Sequence, residues 1–546
     1  MNGFRNSTGR WLAALAALAL VAGGVVLGVA LPRGNPVDRV LHRLAGMRRD
    51  LAALEVVAER NVPAEIIETG LVPLELHRLP VGRFAGGGGA IAVVGRDILL
   101  ATPKGKLAVI EPAGDARYAL RLLPATVPMN LAGLEASAFA TDPQFNSAYY
   151  RTLDLLPVRA ADGSLRLYVS HHRFADNCIQ MVVSRAPVAE GPGLTVDGSR
   201  WEDVFVASPC IAMKGAGHPF AGHQSGGRLV LRPDGHLLVS IGDFEFDGEN
   251  APGKTSMDLA THLGKILEID PGSRAVSTYA SGFRNPQGLL LAADGHLWET
   301  EHGPHGGDEL NDVQQGGNYG WPEVSYGVQY GFPSRPWPSN PVQGRHEGYA
   351  KPAFAFLPSI GISNLVEADA AEFPEWAGDL LVTSLKDSSL WRLRLEEGRV
   401  VYTERIFLKE RLRDIQVLPG GKLAILTDNL DLLLIGRRRT AGPGTLAPAV
   451  TVAGLDQTGQ LMQGESDLDP VEGLGPEFGR KLFRSRCAGC HGEGGQAGTA
   501  PTLAGVVGRR VGSLPGFAYS AELAGAGGTW TRERLLAFLS EPRTSF

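Results

Sequence analysis

The residues richest in chemistry fall into two groups. Near the C-terminal end, "RCAGCHGEGG" (486–495) places Cys487, Cys490 and His491 in a C-x-x-C-H pattern. That spacing lets two thiols form thioether links to one porphyrin while the neighbouring histidine binds its iron, so it predicts a c-type haem with His491 as iron ligand. The second group is spread over 223–413. Arg284, Lys386, Arg411 and Arg413 each stand beside a strand-like run. Converging at one face, they would suit a small polyanion, because guanidinium binds carboxylates through two parallel hydrogen bonds. His223 has the side chain of a general base. The stretch "EHGPHGGDE" (301–309) combines exposed loop carbonyls with Asp308 and Glu309, hard oxygen donors of the kind calcium prefers. Read singly, each of these is also an ordinary loop arginine or turn glycine.

The elements that must hold these residues are legible in outline. At 546 residues the chain is too long for one ordinary domain. It is 44% hydrophobic and 20% charged, which fits globular structure. The formal net charge of −6 gives no reason to expect nucleic acid as a partner. From about 70 to 437, short apolar runs alternate with Gly and Asp turns, as in "DGHLLVSIGD", "DGHLWETEHG" and "GGKLAILTD". A recurring turn-strand unit predicts a radial all-β repeat, a β-propeller. Residues 438–474 read as a Pro- and Gly-containing linker. Residues 475–546, the haem region, begin with an amphipathic helix.

Upstream, residues 37–69 read as a helical stalk, with Val37, Val40, Leu41 and Leu44 at helical spacing. Residues 1–36 contain Arg5 and Arg10 and then Trp11 to Leu31 without a charge, long enough for a membrane helix. The expectation is an uncleaved anchor, with a cleaved signal as the runner-up. Both place the chain on the periplasmic side of a bacterial membrane, the side on which c-type haem is attached. Cys178 and Cys210 are the two remaining cysteines; they pair as a disulfide in an oxidising compartment or stay as two buried thiols.

Taken together, "RNPQG" (284–288), "EHGPHGGDE" (301–309), "NYGWP" (318–322), "LKD" (385–387) and "RLRD" (411–414) resemble, in order and spacing, the soluble pyrroloquinoline quinone (PQQ)-dependent sugar dehydrogenases, the glucose/sorbosone and aldose sugar dehydrogenase family. The resemblance covers roughly 75–437. It implies a six-bladed β-propeller with PQQ over its central face. His223 matches the base that takes the proton of the sugar's C1 hydroxyl, and Arg284 the arginine beside the quinone carbonyl. Asn285, Tyr330, Lys386, Asp387, Arg411 and Arg413 match the cofactor-binding set. Gly303 and Pro304 match a loop whose carbonyls bind calcium, and Glu309 and Tyr319 match a second calcium site. Two departures stand out. "HQSGGR" carries one residue more than the family spacing, and "MNLAGLEASAFATDPQF" lacks the Gln-Gly or Gln-Asn that in the family precedes a "GLL" run and touches PQQ. Residues 165–215 look like an elaboration near the substrate side.

From Pro476 onward the chain resembles a class I cytochrome c, a small all-α domain. Tyr519 and Trp530 match residues that hydrogen-bond a haem propionate. The resemblance implies a methionine as second axial ligand after the "TW" helix, yet no methionine follows Met462, so this domain reads as C-terminally incomplete. The functional expectation is an exported quinoprotein that oxidises an aldose or related alcohol or aldehyde and passes electrons to a fused haem. A cytochrome or terminal oxidase would receive them. The alternative is a non-catalytic propeller of the same fold that binds a ligand or protein.

Overall fold

The computed structural model describes residues 64–81, 88–112, 118–141, 145–191, 193–212, 222–330, 332–337, 345–438, 450–452, His491, 501–515 and part of 517–538. Two units emerge, Met1–Gln457 and Thr458–Phe546. Among the described residues the first contains six mainly antiparallel sheets, the blades of a propeller, as expected, and a small two-stranded sheet, Val328–Gln329 with Phe332–Pro336. Blade 1 runs Ala90–Val94, Asp97–Ala101, Lys106–Pro112 and Tyr118–Thr126. Blade 2 has Thr152–Arg159, Leu165–Ala175 and Cys178–Glu190, with three short strands, Leu194–Val196, Glu202–Val206 and Ile211–Ala212, pairing along the last. Blade 3 is Gly226–Leu231, Leu237–Ile241, Lys265–Ile269 and Val276–Ser281. Blade 4 is Pro286–Leu291, Leu297–Glu301, Asp308–Asp312 and Phe354–Phe356. Blade 5 is Ile362–Glu367, Leu380–Ser384, Ser389–Glu396 and Arg399–Phe407.

Blade 6 closes the ring. Its strands Leu412–Val417, Leu423–Thr427 and Asp431–Arg437 are completed by Leu74–Pro80, which pairs antiparallel from Leu74↔Arg437 to Pro80↔Asp431. Joining an early strand to the last ones removes a free sheet edge. The second strand of blades 3 to 6 is buried at every position, because both of its faces pack against neighbouring blades. That is why "LLVSI" and "LAILT" read as continuous apolar or small-polar runs rather than alternating ones. The "PDGH" and "ADGH" repeats are one turn used twice. Gly235 and Gly295 take positive φ, and Asp234 and Asp294 each accept the backbone N–H two residues on.

The inner strands meet around a buried charge cluster. Arg228 donates to Asp154 at 3.0 Å and to Asp414 at 2.9 Å, and to the Gln287 carbonyl at 2.7 Å. Asp414 also accepts from Asn364 at 2.7 Å and from the Ile91 N–H at 2.9 Å. Every blade thus contributes at least one atom. Burial pushes Asp154 up to about 6, against the opposing pull of Arg228.

Some expected boundaries shift. The final part of the 37–69 stalk is not helical: Glu65–Ile67 is a strand on Leu74–Pro80, since Ile66 and Ile67 continue the blade 6 sheet. The 438–474 linker includes Val450–Val452, which pairs parallel with Tyr118–Leu120 of blade 1. The proposed membrane helix in 1–36 lies outside the described residues. Among those described, no helix is long and apolar enough to cross a membrane. Cys178 and Cys210 form a disulfide with Cα atoms 5.9 Å apart, tying the start of one blade 2 strand to the short strand that pairs with it.

Arg228→Met leaves two aspartates buried without their cation. It is expected to cost about 3–5 kcal/mol, the usual loss when one partner of a buried ion pair is removed. Urea unfolding of the two proteins measures this; an unchanged midpoint would show that the cluster does not hold the ring together.

Candidate active site

The loops that enter the inner strands of blades 2, 3, 4 and 6 surround a cleft of about 400 Å³. Its walls include Tyr149, Arg151, His223, Glu245, Arg284, Tyr330, Arg411 and Arg413. Inner strands of blades 2 to 6 each carry a β-bulge at this end. A bulge re-aims side chains where a strand meets a site. In "HQSGGR" the bulge falls between Gly226 and Leu229, and His223 lines the cleft.

His223 is 43% exposed. Its Nδ1 lies 3.3 Å from Glu245 Oε1, and its ring meets Tyr149 edge-on at 4.3 Å. With Nδ1 turned to a carboxylate, Nε2 is the nitrogen left to accept a proton. Glu245 sits at φ 68°, a left-handed position two residues after Asp243. Asp243 is buried and accepts from Trp321 Nε1 at 2.6 Å. Burial pushes its carboxyl up to about 8, against the pull of Arg284. The Gln224 side-chain amide, oriented to satisfy both neighbours, donates to Asp243 at 2.6 Å and accepts from Arg284 at 3.0 Å.

Arg284 is buried. Its Nη1 donates to the carbonyls of His302 at 3.1 Å and Gly303 at 2.9 Å, and the guanidinium lies 5.3 Å from the Trp321 ring centroid. Its Nε has no partner among the described residues. Glu301 fixes this segment from behind by accepting the backbone N–H groups of Arg284 at 2.6 Å and Asn285 at 3.3 Å. Asn285 accepts from Gln287 and from the Gly226 N–H, bracing the floor of the cleft.

Arg411 and Arg413 share Asp428, each through Nε at 2.8 Å. Burial raises the Asp428 carboxyl, but the two guanidiniums more than offset it, and the group lies below its ordinary value. Tyr330 is exposed on the rim and donates to the Pro304 carbonyl at 3.0 Å. Two expected cofactor contacts are not brought to the wall. Lys386 is exposed, one residue beyond the lining Leu385. Asp387 is occupied elsewhere: it accepts from Trp391 Nε1 at 3.0 Å and Arg405 Nε at 2.7 Å, holding the outer strands of blade 5.

The acidic loop packs beside this cleft. Gly303 is required there, since a Cβ would sit 2.2 Å from the Gly307 carbonyl. Glu301, Glu309, Tyr319, Ser325 and His346 line a small cavity behind Arg284. Burial first, and neighbouring carboxylates second, push Glu299 and Glu301 well above the usual range, and Glu299 Oε1 has no partner among the described residues. Such oxygens fit a hard cation. The Tyr319 hydroxyl is already engaged, donating to the Asp312 carbonyl at 2.6 Å and accepting from Gln314 N–H at 3.0 Å.

In the second unit, His491 Nδ1 lies 2.6 Å from the Pro501 carbonyl. An Nδ1–H donated there fixes the tautomer and leaves Nε2 for iron. Trp530 is buried and pairs with Arg509 through the backbone, while the Tyr519 hydroxyl accepts from the Leu514 N–H at 3.3 Å. Cys487 and Cys490 lie outside the described residues. Glu245, Arg151 and Asp428 stand in none of the sequence motifs. No local pattern marks them, because their roles arise from partners far along the chain.

Fold and site together define a six-bladed propeller with a histidine–carboxylate pair and several arginines on one cleft. Residues 90–435 match the family described as Glucose / Sorbosone dehydrogenase, and 477–541 match Cytochrome c. The aldose sugar dehydrogenase YliI of Escherichia coli (strain K12) is 31% identical over 286 residues, covering 48% of this chain and 71% of the relative. Quinoprotein glucose dehydrogenase B of Acinetobacter calcoaceticus is 28% identical over 196 residues, 31% of this chain and 39% of that protein. The crystal structure of the soluble E. coli aldose sugar dehydrogenase in its apo form superimposes with TM-score 0.53 at 22% identity, over 69% of this chain and 99% of that one. The chain belongs to the glucose/sorbosone dehydrogenase family and carries a cytochrome c domain at its C-terminal end.

Asp428→Asn tests the arginine pairing through pH. A depressed carboxyl stabilises the fold above its unfolded value of 3.8 and loses that contribution as pH falls through its lower folded value. The variant should therefore be less stable than wild type near neutrality, and the gap should narrow at acid pH. Denaturant midpoints at both pH values check this; a constant gap would contradict it.

Proposed function

We propose that this chain is an exported, PQQ-dependent dehydrogenase that oxidises an aldose or related alcohol or aldehyde and passes the electrons to its own c-type haem. The observation that carries the reading is the pairing of His223 and Glu245 on the same cleft as Arg284, Arg411 and Arg413. A base and an array of cations on one cleft suit oxidation of a hydroxyl beside an anionic acceptor. The relatives' names, an aldose sugar dehydrogenase and a quinoprotein glucose dehydrogenase, support the same class.

PQQ, when bound, supplies the two-electron acceptor for the hydride on the sugar's C1. The unpartnered Arg284 Nε and the cationic walls fit its carboxylates and carbonyls. Arg411 and Arg413 would hold carboxylates, with Lys386 contributing long-range charge from the rim. Arg284 and Asn285 would face the carbonyl where negative charge develops, a fixed dipole array that needs no reorganisation. His223 takes the C1 hydroxyl proton at Nε2, and Glu245 orients the ring and balances the imidazolium. Tyr149 covers one side of the base and limits water. Gly303 and Pro304 would offer carbonyls to a calcium ion, and Glu309 a carboxylate to a second, with Tyr319 contributing its backbone oxygen. Haem c, attached through Cys487 and Cys490, supplies a one-electron carrier. Fusion keeps the two centres at high effective concentration. The Cys178–Cys210 disulfide supports an oxidising compartment, and a periplasmic location with an N-terminal anchor completes the reading.

Reconstitution with PQQ and calcium, followed by dye reduction over a sugar panel, tests the activity. His223→Ala should lower kcat by about 10²–10⁴-fold while cofactor binding persists, the usual contribution of a general base. A variant retaining most of its rate on every sugar would remove His223 from the chemistry.

A further inference from the structure

We propose that Arg151 is an anion anchor of the cleft, its guanidinium binding a carboxylate of the cofactor from the blade 2 side. The inference rests on the PQQ reading above and adds a contact that neither the motifs nor the comparisons assign. Arg151 immediately precedes the inner strand of blade 2 and lines the main cleft. It also lines the smaller cavity beneath, with Gly88, Arg228, Gln287 and Arg413. The residue is held firmly: its N–H donates to His172 Nδ1 at 3.2 Å, and its carbonyl accepts the His172 N–H at 3.1 Å.

Charge balance singles it out. Arg228 has Asp154 and Asp414; Arg411 and Arg413 have Asp428. Arg284 is engaged by two carbonyls and an indole face. Among the described residues no carboxylate lies within ion-pair distance of Arg151, whose guanidinium is 5.9 Å from the Tyr149 ring centroid. Burial, and next Arg413 close by, pull it down to about 9. A desolvated cation left in this state is costly in the empty protein and becomes favourable when an anion arrives. Space is provided for it. Gly88 sits at φ +127°, and a Cβ there would lie 2.9 Å from Arg151 Cδ. The missing side chain at Gly88 thus leaves room for the stem of Arg151. A planar fork is the group that binds a carboxylate with two hydrogen bonds.

The test titrates PQQ, and separately its trimethyl ester, into the apoprotein while tryptophan fluorescence is followed. Arg151→Gln should weaken PQQ binding roughly 10- to 100-fold, the range for one charge-assisted contact. Arg151→Lys should lose less, because the charge remains. With the uncharged ester, wild type and both variants should bind alike. The empty Arg151→Gln protein should melt at or above the wild-type temperature, and PQQ should raise its melting point less. Equal PQQ affinity in wild type and Arg151→Gln would overturn the assignment while leaving the quinone reading intact. An affinity loss that persists with the ester, with a lower melting point of the empty variant, would make Arg151 a structural residue. No PQQ binding by wild type would overturn both readings.

Discussion

The fold depends on one guanidinium. Arg228 sits where the six inner strands converge: it bonds Asp154, Asp414 and the Gln287 carbonyl directly, and Asp414 carries the link on to Asn364 and the Ile91 N–H. A hydrophobic axis would pack as well, but it would not fix the rotation of each blade about the centre. Directional bonds to a planar cation do. The cleft is built on that constraint, because its residues lie within a few positions of the strands the cluster pins. Arg413 precedes Asp414, Tyr149 and Arg151 precede Asp154, and Gln287 supplies both a carbonyl to Arg228 and a side chain to Asn285.

Above this hub the charges are arranged unevenly. Some arginines are matched by carboxylates and are positioned by them; Asp428 holds two guanidiniums in parallel on blade 6. Among the described residues no carboxylate lies within ion-pair distance of Arg284 or Arg151, so both retain their capacity for an anion. The acidic cluster of Glu299, Glu301 and Glu309 lies behind Arg284, with Glu301 gripping its backbone rather than its side chain. The arginine is thereby fixed in place without being neutralised. That separation of positioning from charge compensation allows a preorganised site to stabilise developing negative charge.

The propeller was legible in the sequence because its turns repeat: "PDGH" and "ADGH" close equivalent hairpins, and buried second strands such as "LLVSI" and "LAILT" read as apolar or small-polar runs. The site was legible where motif and chemistry coincide, at His223, Arg284, Arg411 and Arg413. It was not legible where function comes from distant pairing. Glu245 and Asp428 look like ordinary loop acids until the fold sets them against His223 and the two arginines. Asp387 misled for the converse reason. It stands in a motif beside a cation, yet Trp391 and Arg405, four and eighteen residues on, claim its carboxylate. Nor does blade 6 announce that its outer strands come from residues 65–80, since strand pairing across the whole domain leaves no local signal.

The central claim is that sugar oxidation in the propeller reduces the haem of the same chain. The direct measurement is the haem α-band after mixing an aldose with the oxidised, PQQ-loaded protein without any mediator. Reduction that requires both PQQ and sugar, proceeds at a rate independent of protein concentration and disappears in His223→Ala would bear the claim out. A haem that stays oxidised while an added dye is reduced, or one that is reduced equally well without PQQ, would contradict it.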